Sequence, residues 1–135
     1  MLDAAIHQVL RTMVGGVLGA VLAVAAVPTQ ARGPAPDAAM QEVPLAQLPA
    51  QGRKTYALIL RGGPFPFEKD GSVFGNRERL LPAARRGHYR EYTVKTPWSR
   101  DRGARRIVCG GSVPTQPEAC YYTSDHYNSF RKITP

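Results

Sequence analysis

The sequence predicts an α+β domain, with one N-terminal amphipathic helix packed on a twisted antiparallel β-sheet. Three observations carry this. One stretch of helical periodicity lies early in the chain, and four runs of β-branched and aromatic residues follow it. The 135 residues also leave room for only one small domain once a leader is set aside.

The leader comes first. From Met13 to Val27 the run MVGGVLGAVLAVAAV is small and apolar, short for a membrane span and suited to the core of a signal peptide. Residues 1–31 therefore read as a signal peptide, cleaved after Ala31 or after Ala26, with a retained membrane tether as the alternative. Secretion to the extracellular space follows. Residues 32–47 carry Pro34, Pro36 and Pro44 without sustained periodicity and read as a linker or pro-segment, so the folded domain is expected to span 48–135.

Within the domain, PAQGRKTYALIL places Tyr56, Ile59 and Leu60 at helical spacing, with Pro49 at the start and Gly62-Gly63 beyond the end. Gly52 weakens this helix. The following GGPFPFEKDGSVFGNRERLLP is punctuated by Pro64, Pro66, Asp70-Gly71 and Gly75-Asn76 too often for a long element. Its Phe65, Phe67, Phe74, Leu80 and Leu81 mark it as a structured loop, and a loop this long in a compact domain tends to carry function. YREYTVKT, ARRIVCG, ACYYTSD and SFRKIT then read as four strands of an antiparallel meander. Helix on one face leaves the other face free to bind something.

The formal net charge is +8, and the leader holds one acid (Asp3) and one base (Arg11), so the charge belongs to the domain. Such a domain attracts polyanions, whether nucleic acid or an anionic membrane, and charge alone does not choose. Cys109, Cys120, His88 and His126 lack the close paired spacing of a structural zinc site.

Alternation puts Tyr89, Glu91, Thr93 and Lys95 on one face of their strand and Tyr92 and Val94 on the other. In the next strand Ala104, Arg106 and Val108 share a face, while Ile107 and Cys109 point toward the helix. Arg106 is thus expected beside Glu91 on the open face. By itself such a pair is an ordinary cross-strand ion pair, worth little. His126, just past ACYYTSD, is by itself a polar loop residue.

GPFPF, DGSVFGNRE, YREYTV, RGARRIVCG and YYTSDHYNSF, in this order, resemble the secreted bacterial guanyl-specific ribonucleases, relatives of barnase. The resemblance runs from about Leu48 to the C-terminus. It implies cleavage of single-stranded RNA through a 2′,3′-cyclic phosphate to 3′-phosphate ends, by a monomer that uses neither cofactor nor metal. Matched to the family's motifs, Glu91 is the base that takes the 2′-OH proton and His126 the acid that protonates the departing 5′-oxygen. Arg102 and Arg106 would grip the phosphate through forked donors. Glu78 would pair its two oxygens with the adjacent N–H groups of guanine, with backbone amides of Gly75, Asn76 and Arg77 meeting the guanine carbonyl. Phe74 and Tyr127 offer stacking surfaces.

The chain departs from the family in two places. Several members tie the ends of the domain by a disulfide, and no cysteine is available for that here. Cys109 matches a family cysteine, Cys120 is additional, and strand proximity in an exported protein predicts a cross-strand bridge between them rather than two buried thiols. Gly75 stands where members often carry a larger side chain. An acidic barstar-like inhibitor is an expected partner. Two alternatives to the secreted enzyme remain: a catalytically silent cationic binder of RNA or membranes, and a ribonuclease effector used against competing cells.

Overall fold

The computed structural model describes Gly19 and residues 40–135. The signal peptide expected at 1–31 and the first part of the linker lie outside the described residues that make up the domain. The elements run β1 (Glu42–Pro44), a 3-10 turn (Leu45–Gln47), α1 (Ala50–Arg61), β2 (Ser72–Val73), β3 (Tyr89–Thr93), β4 (Arg106–Gly110), β5 (Ala119–Thr123) and β6 (Arg131–Thr134). They form one six-stranded sheet in the order β1-β6-β5-β4-β3-β2. The four expected strands are its centre, each antiparallel to its neighbour.

Two strands were not expected. β1 pairs parallel to β6, setting Val43 opposite Ile133, and the Lys132 N–H donates to the Gln41 carbonyl at 2.8 Å. The segment read as linker at 32–47 therefore contributes an edge strand, and ordered structure begins before residue 48. Three residues with one buried side chain, the last of them Pro44, give too short an alternation to be seen in sequence. β2 is shorter still, and pairs antiparallel with β3 through Ser72↔Glu91 and Val73↔Arg90.

α1 starts after Pro49 and ends at Gly62, whose φ of +80° suits glycine. The Gly62 and Gly63 N–H groups close the last turn on the Ile59 and Leu58 carbonyls. Its buried side is Gly52, Thr55 and Ile59, with Tyr56 half-buried. Leu60, expected on the apolar stripe, is exposed instead. Thr55 takes that share of the contact by donating its hydroxyl to the Thr93 carbonyl at 3.0 Å, which pins the helix to β3. Gly52 faces Leu48, where an added Cβ would meet the Leu48 side chain at 3.4 Å.

Alternation sorts the strands as expected on the helix side. Tyr92, Val94, Ile107, Cys109, Cys120 and Tyr122 join Leu48 and Ile59 in one core. Each buried aliphatic side chain there contributes about 1.5–3 kcal/mol of transfer free energy. Cys109 and Cys120 are directly opposed in the β4–β5 register and are joined by a disulfide inside this core. The opposite face is not left open. Leu81, Tyr89, Val108, Tyr121 and Phe130 form a second buried cluster, with Phe74 and Tyr127 packed on it. Part of the 62–88 loop folds back over that face and leaves a cleft beside it.

Candidate active site

The cleft, of about 660 Å³, opens where the loop after β2 meets the β5–β6 loop over the middle of β3. Phe74, Gly75, Asn76, Arg77 and Glu78 line one side, and His126 and Tyr127 the other, with Glu91 between them. All the residues matched to base, acid and guanine binding thus face one space. Val73, Leu80, Asn128 and Phe130 complete the wall; they lie in or beside the motif blocks, but none had been singled out as a site residue.

Glu91 rises from β3 toward the cleft with both carboxylate oxygens engaged. Arg102 Nη2 donates to Oε1 at 2.8 Å, and the Tyr127 hydroxyl donates to Oε2, also at 2.8 Å. Arg102 is fixed in turn by Nε donating to Thr93 Oγ1 at 2.7 Å. Asp70 stands 3.9 Å from Arg102, its carboxylate buried and accepting the Thr93 N–H at 2.7 Å and the Phe67 N–H at 3.3 Å. A buried carboxylate held this way braces both the end of β3 and the guanidinium. Sequence had shown Asp70 only within a turn and a motif block, because the partners that give it a role, Thr93 and Arg102, lie 23 and 32 residues away.

The expected Glu91–Arg106 pair is absent. Arg106 lies opposite Thr93 in the β3–β4 register, one step along the same face, and Arg102 from the preceding loop reaches Glu91 in its place. Arg106 is 2 % exposed and donates to the Arg105 carbonyl at 2.8 Å. Its guanidinium carbon stands 6.0 Å from the centre of the Tyr127 ring. Its Nε is buried with no hydrogen-bond partner among the described residues. A buried charged donor left unpaired is costly, and an acceptor from a ligand would remove that cost.

His126 is exposed and Tyr127 half-buried, both with positive φ, at +54° and +71°. That conformation is unusual for side-chain-bearing residues and persists only when its surroundings hold it. Asp125 is the holder. Its carboxylate accepts the Ser129 hydroxyl at 2.6 Å, the Ser129 N–H at 3.0 Å and the Thr123 hydroxyl at 2.8 Å. The hydrogen bond from Ser129 is the main cause that lowers the Asp125 carboxyl below its usual range. The His126 N–H donates to the Ala104 carbonyl at 3.0 Å, tying this loop to the one that carries Arg102. Burial, and next the hydrogen bond to Glu91, push the Tyr127 hydroxyl above the ordinary phenol range, so it stays a donor at neutral pH.

On the other wall, the Asn76 side chain pairs with both backbone groups of Leu81, donating at 3.0 Å and accepting at 3.1 Å. This closes the loop between residues 76 and 81 and uses one donor and one acceptor site of the Asn76 amide. Glu78 is exposed and has no hydrogen bond or ion pair among the described residues, so its two oxygens are free to accept. Phe74 and Tyr127 stack at 5.0 Å, with Phe130 edge-on to Phe74, and form one aromatic wall. At Gly75 an added Cβ would make only ordinary contact, 3.6 Å from Arg77 Cγ, so sterics do not demand glycine there.

Residues 31–134 match the family model for ribonuclease. The chain belongs to this ribonuclease family. It is 52 % identical to guanyl-specific ribonuclease St of Saccharopolyspora erythraea over 67 % of this chain and 85 % of that one. To guanyl-specific ribonuclease Sa3 of Kitasatospora aureofaciens it is 56 % identical, over 64 % of this chain and 58 % of the relative. Among solved structures, ribonuclease Sa2 with guanosine-2′-cyclophosphate superposes with a TM-score of 0.65 at 44 % identity, covering 72 % of this chain and 98 % of the other. This ribonuclease shares their α+β architecture of one helix against a largely antiparallel sheet.

Proposed function

We propose that this ribonuclease is a secreted, guanyl-preferring endoribonuclease that cleaves single-stranded RNA through a 2′,3′-cyclic phosphate. The observation that carries the reading is the single cleft in which Glu91 and His126 meet the Phe74–Glu78 loop, with Arg102 and Arg106 adjoining. Each group then has one task. Glu91 takes the 2′-OH proton, using lone pairs that remain beside its bonds to Arg102 and Tyr127. The 2′-oxygen attacks phosphorus, and His126 protonates the departing 5′-oxygen. In the second step water enters as that oxygen left, and the roles of acid and base exchange.

Charge builds on the phosphoryl oxygens in both steps. The unpaired Arg106 Nε and the Arg102 guanidinium supply preorganised positive donors, and the Tyr127 hydroxyl a neutral one. These residues perform the proton transfers and the charge stabilisation between them, so no step calls for a metal. Glu78 pairs with the two adjacent N–H groups of guanine, which adenine lacks, and backbone amides at 75–77 meet the guanine carbonyl oxygen. The domain's basic charge draws in RNA, and it equally favours capture by an acidic inhibitor of the barstar kind.

The test is a panel of four dinucleoside phosphates, one for each base at the 5′ position, cleaved in excess chelator. Cleavage after guanosine is expected to exceed that after adenosine. Glu78→Gln should reduce the preference by about 5–150-fold, the worth of one or two buried hydrogen-bonding groups left unpaired. Salt-sensitive RNA binding without products would instead identify a silent cationic binder.

A further inference from the structure

The loop between β3 and β4, residues 94–105, carries the chain's single tryptophan. Trp98 is 77 % exposed, the most exposed large apolar side chain among the described residues. The Arg105 guanidinium carbon stands 5.2 Å from the centre of its ring. An indole so little buried adds little to the fold. An exposed aromatic ring with an arginine beside it is, however, how proteins hold the bases and backbone of single-stranded nucleic acid.

The position of this platform relative to the cleft follows from the sheet. β2 runs antiparallel to β3, and the Phe74 N–H continues the pairing to the Tyr89 carbonyl at 2.9 Å. The Phe74–Glu78 loop therefore leaves at the Tyr89 end of β3, whereas the Trp98 loop leaves at the Thr93 end, with Glu91 between. The bond from the His126 N–H to the Ala104 carbonyl ties the acid of the reaction to the residue beside Arg105. Guanosine in the Phe74–Glu78 loop would put the strand on the 3′ side of the cut beyond His126, on the side of β3 from which the Trp98 loop leaves. The Arg105 carbonyl accepts the Val94 N–H at 3.1 Å, so the platform stands at the end of the sheet, just beyond β3 and β4. It suits a base further along the strand than the leaving nucleoside.

We propose that Trp98 and Arg105 form a base-stacking subsite for a nucleotide on the 3′ side of the cleaved bond, favouring RNA chains over dinucleotides. The direction of the strand rests on the guanine reading above. The fluorescence of the sole tryptophan tests the subsite apart from that reading. The protein is titrated with oligonucleotides made uncleavable by 2′-deoxyguanosine: one with the guanine followed by three uridines, one with three uridines before it, and one with 2′-deoxyadenosine leading three uridines.

The 3′-extended guanine oligonucleotide should quench Trp98 at the lowest concentration. In cleavage assays Trp98→Ala should lower kcat/KM about 5–150-fold on 3′-extended substrates, the worth of one stacked base. It should leave GpU unchanged, and Trp98→Phe should restore part of the loss. Three results would each overturn the subsite: no gain from 3′ extension in the wild type, an equal loss on GpU in Trp98→Ala, or quenching by anionic lipid vesicles without quenching by oligonucleotides. Equal quenching by the adenine-led oligonucleotide would overturn the guanine reading while supporting stacking at Trp98.

Discussion

The two faces of the central strands are built from alternate residues of the same runs, yet they do different work. On the helix face Tyr92, Val94, Ile107 and the Cys109–Cys120 bridge lie under α1 and are buried. On the other face Tyr89, Val108 and Tyr121 make a smaller core under an irregular loop, and Glu91 and Arg106 stand at its margin. A helix seals its face because its own backbone is satisfied internally. A loop cannot seal so completely, and the gap it leaves is where polar groups can meet a ligand. Changes on the helix face should therefore alter stability with little effect on turnover, and changes to the polar groups at the margin of the loop face should do the reverse.

The sharpest way to break that comparison is at Glu91 and His126. Glu91→Gln and His126→Gln should each lower kcat by about 10²–10⁴-fold, the usual worth of a general acid or base. Thermal midpoints should stay near the wild type. A variant that lost activity only in proportion to lost folding would erase the distinction between the faces. Its mirror is Ile107→Ala, which should cost about 2–5 kcal/mol in denaturant unfolding while kcat per folded molecule is retained.

The disulfide should behave as part of the helix face. Replacing both Cys109 and Cys120 by alanine opens a loop of sequence separation 11. The expected loss is about 2–3 kcal/mol on the chain-entropy account, again without change in kcat.

The smallest expected effect lies at Asp125, which orders the His126 loop. Its carboxyl is lowered in the folded protein, chiefly by the Ser129 hydroxyl. The contribution is therefore fully present above the unfolded value of about 3.9 and is lost as the pH falls through the lower folded value. The stability difference between wild type and Asp125→Asn should be constant near neutral pH and shrink below about pH 4. Curves that stay parallel to pH 2 would show that Asp125 does not act as a carboxylate here.

The helix and the four central strands were legible because their signals are local: helical spacing ended by Gly62-Gly63, and two-residue alternation over four or five positions. Residues 42–44 and 72–73 escaped because two or three residues carry no measurable period, and only a partner strand makes them strands. Leu60 was misplaced for a related reason. Spacing defines a stripe, but the width of the buried face depends on how the helix sits on the sheet, and Thr55 took the contact through the Thr93 carbonyl. At the candidate site, Glu91, His126 and Glu78 came from motif resemblance. Asp70, and the exchange of Arg106 for Arg102 at Glu91, were invisible because each depends on a loop closing across the sheet.

By itself, then, the sequence determined the α+β class, the faces of Tyr92, Val94, Ile107 and Cys109, and the residues that carry the family's motifs. The tertiary structure decided that the second face is half covered, that Arg102 rather than Arg106 holds Glu91, and that Trp98 stands in water at the far end of β3. The physical reason is range. Alternation and capping are set by neighbours within a few residues, while a cleft is set by where loops from distant parts of the chain come to rest.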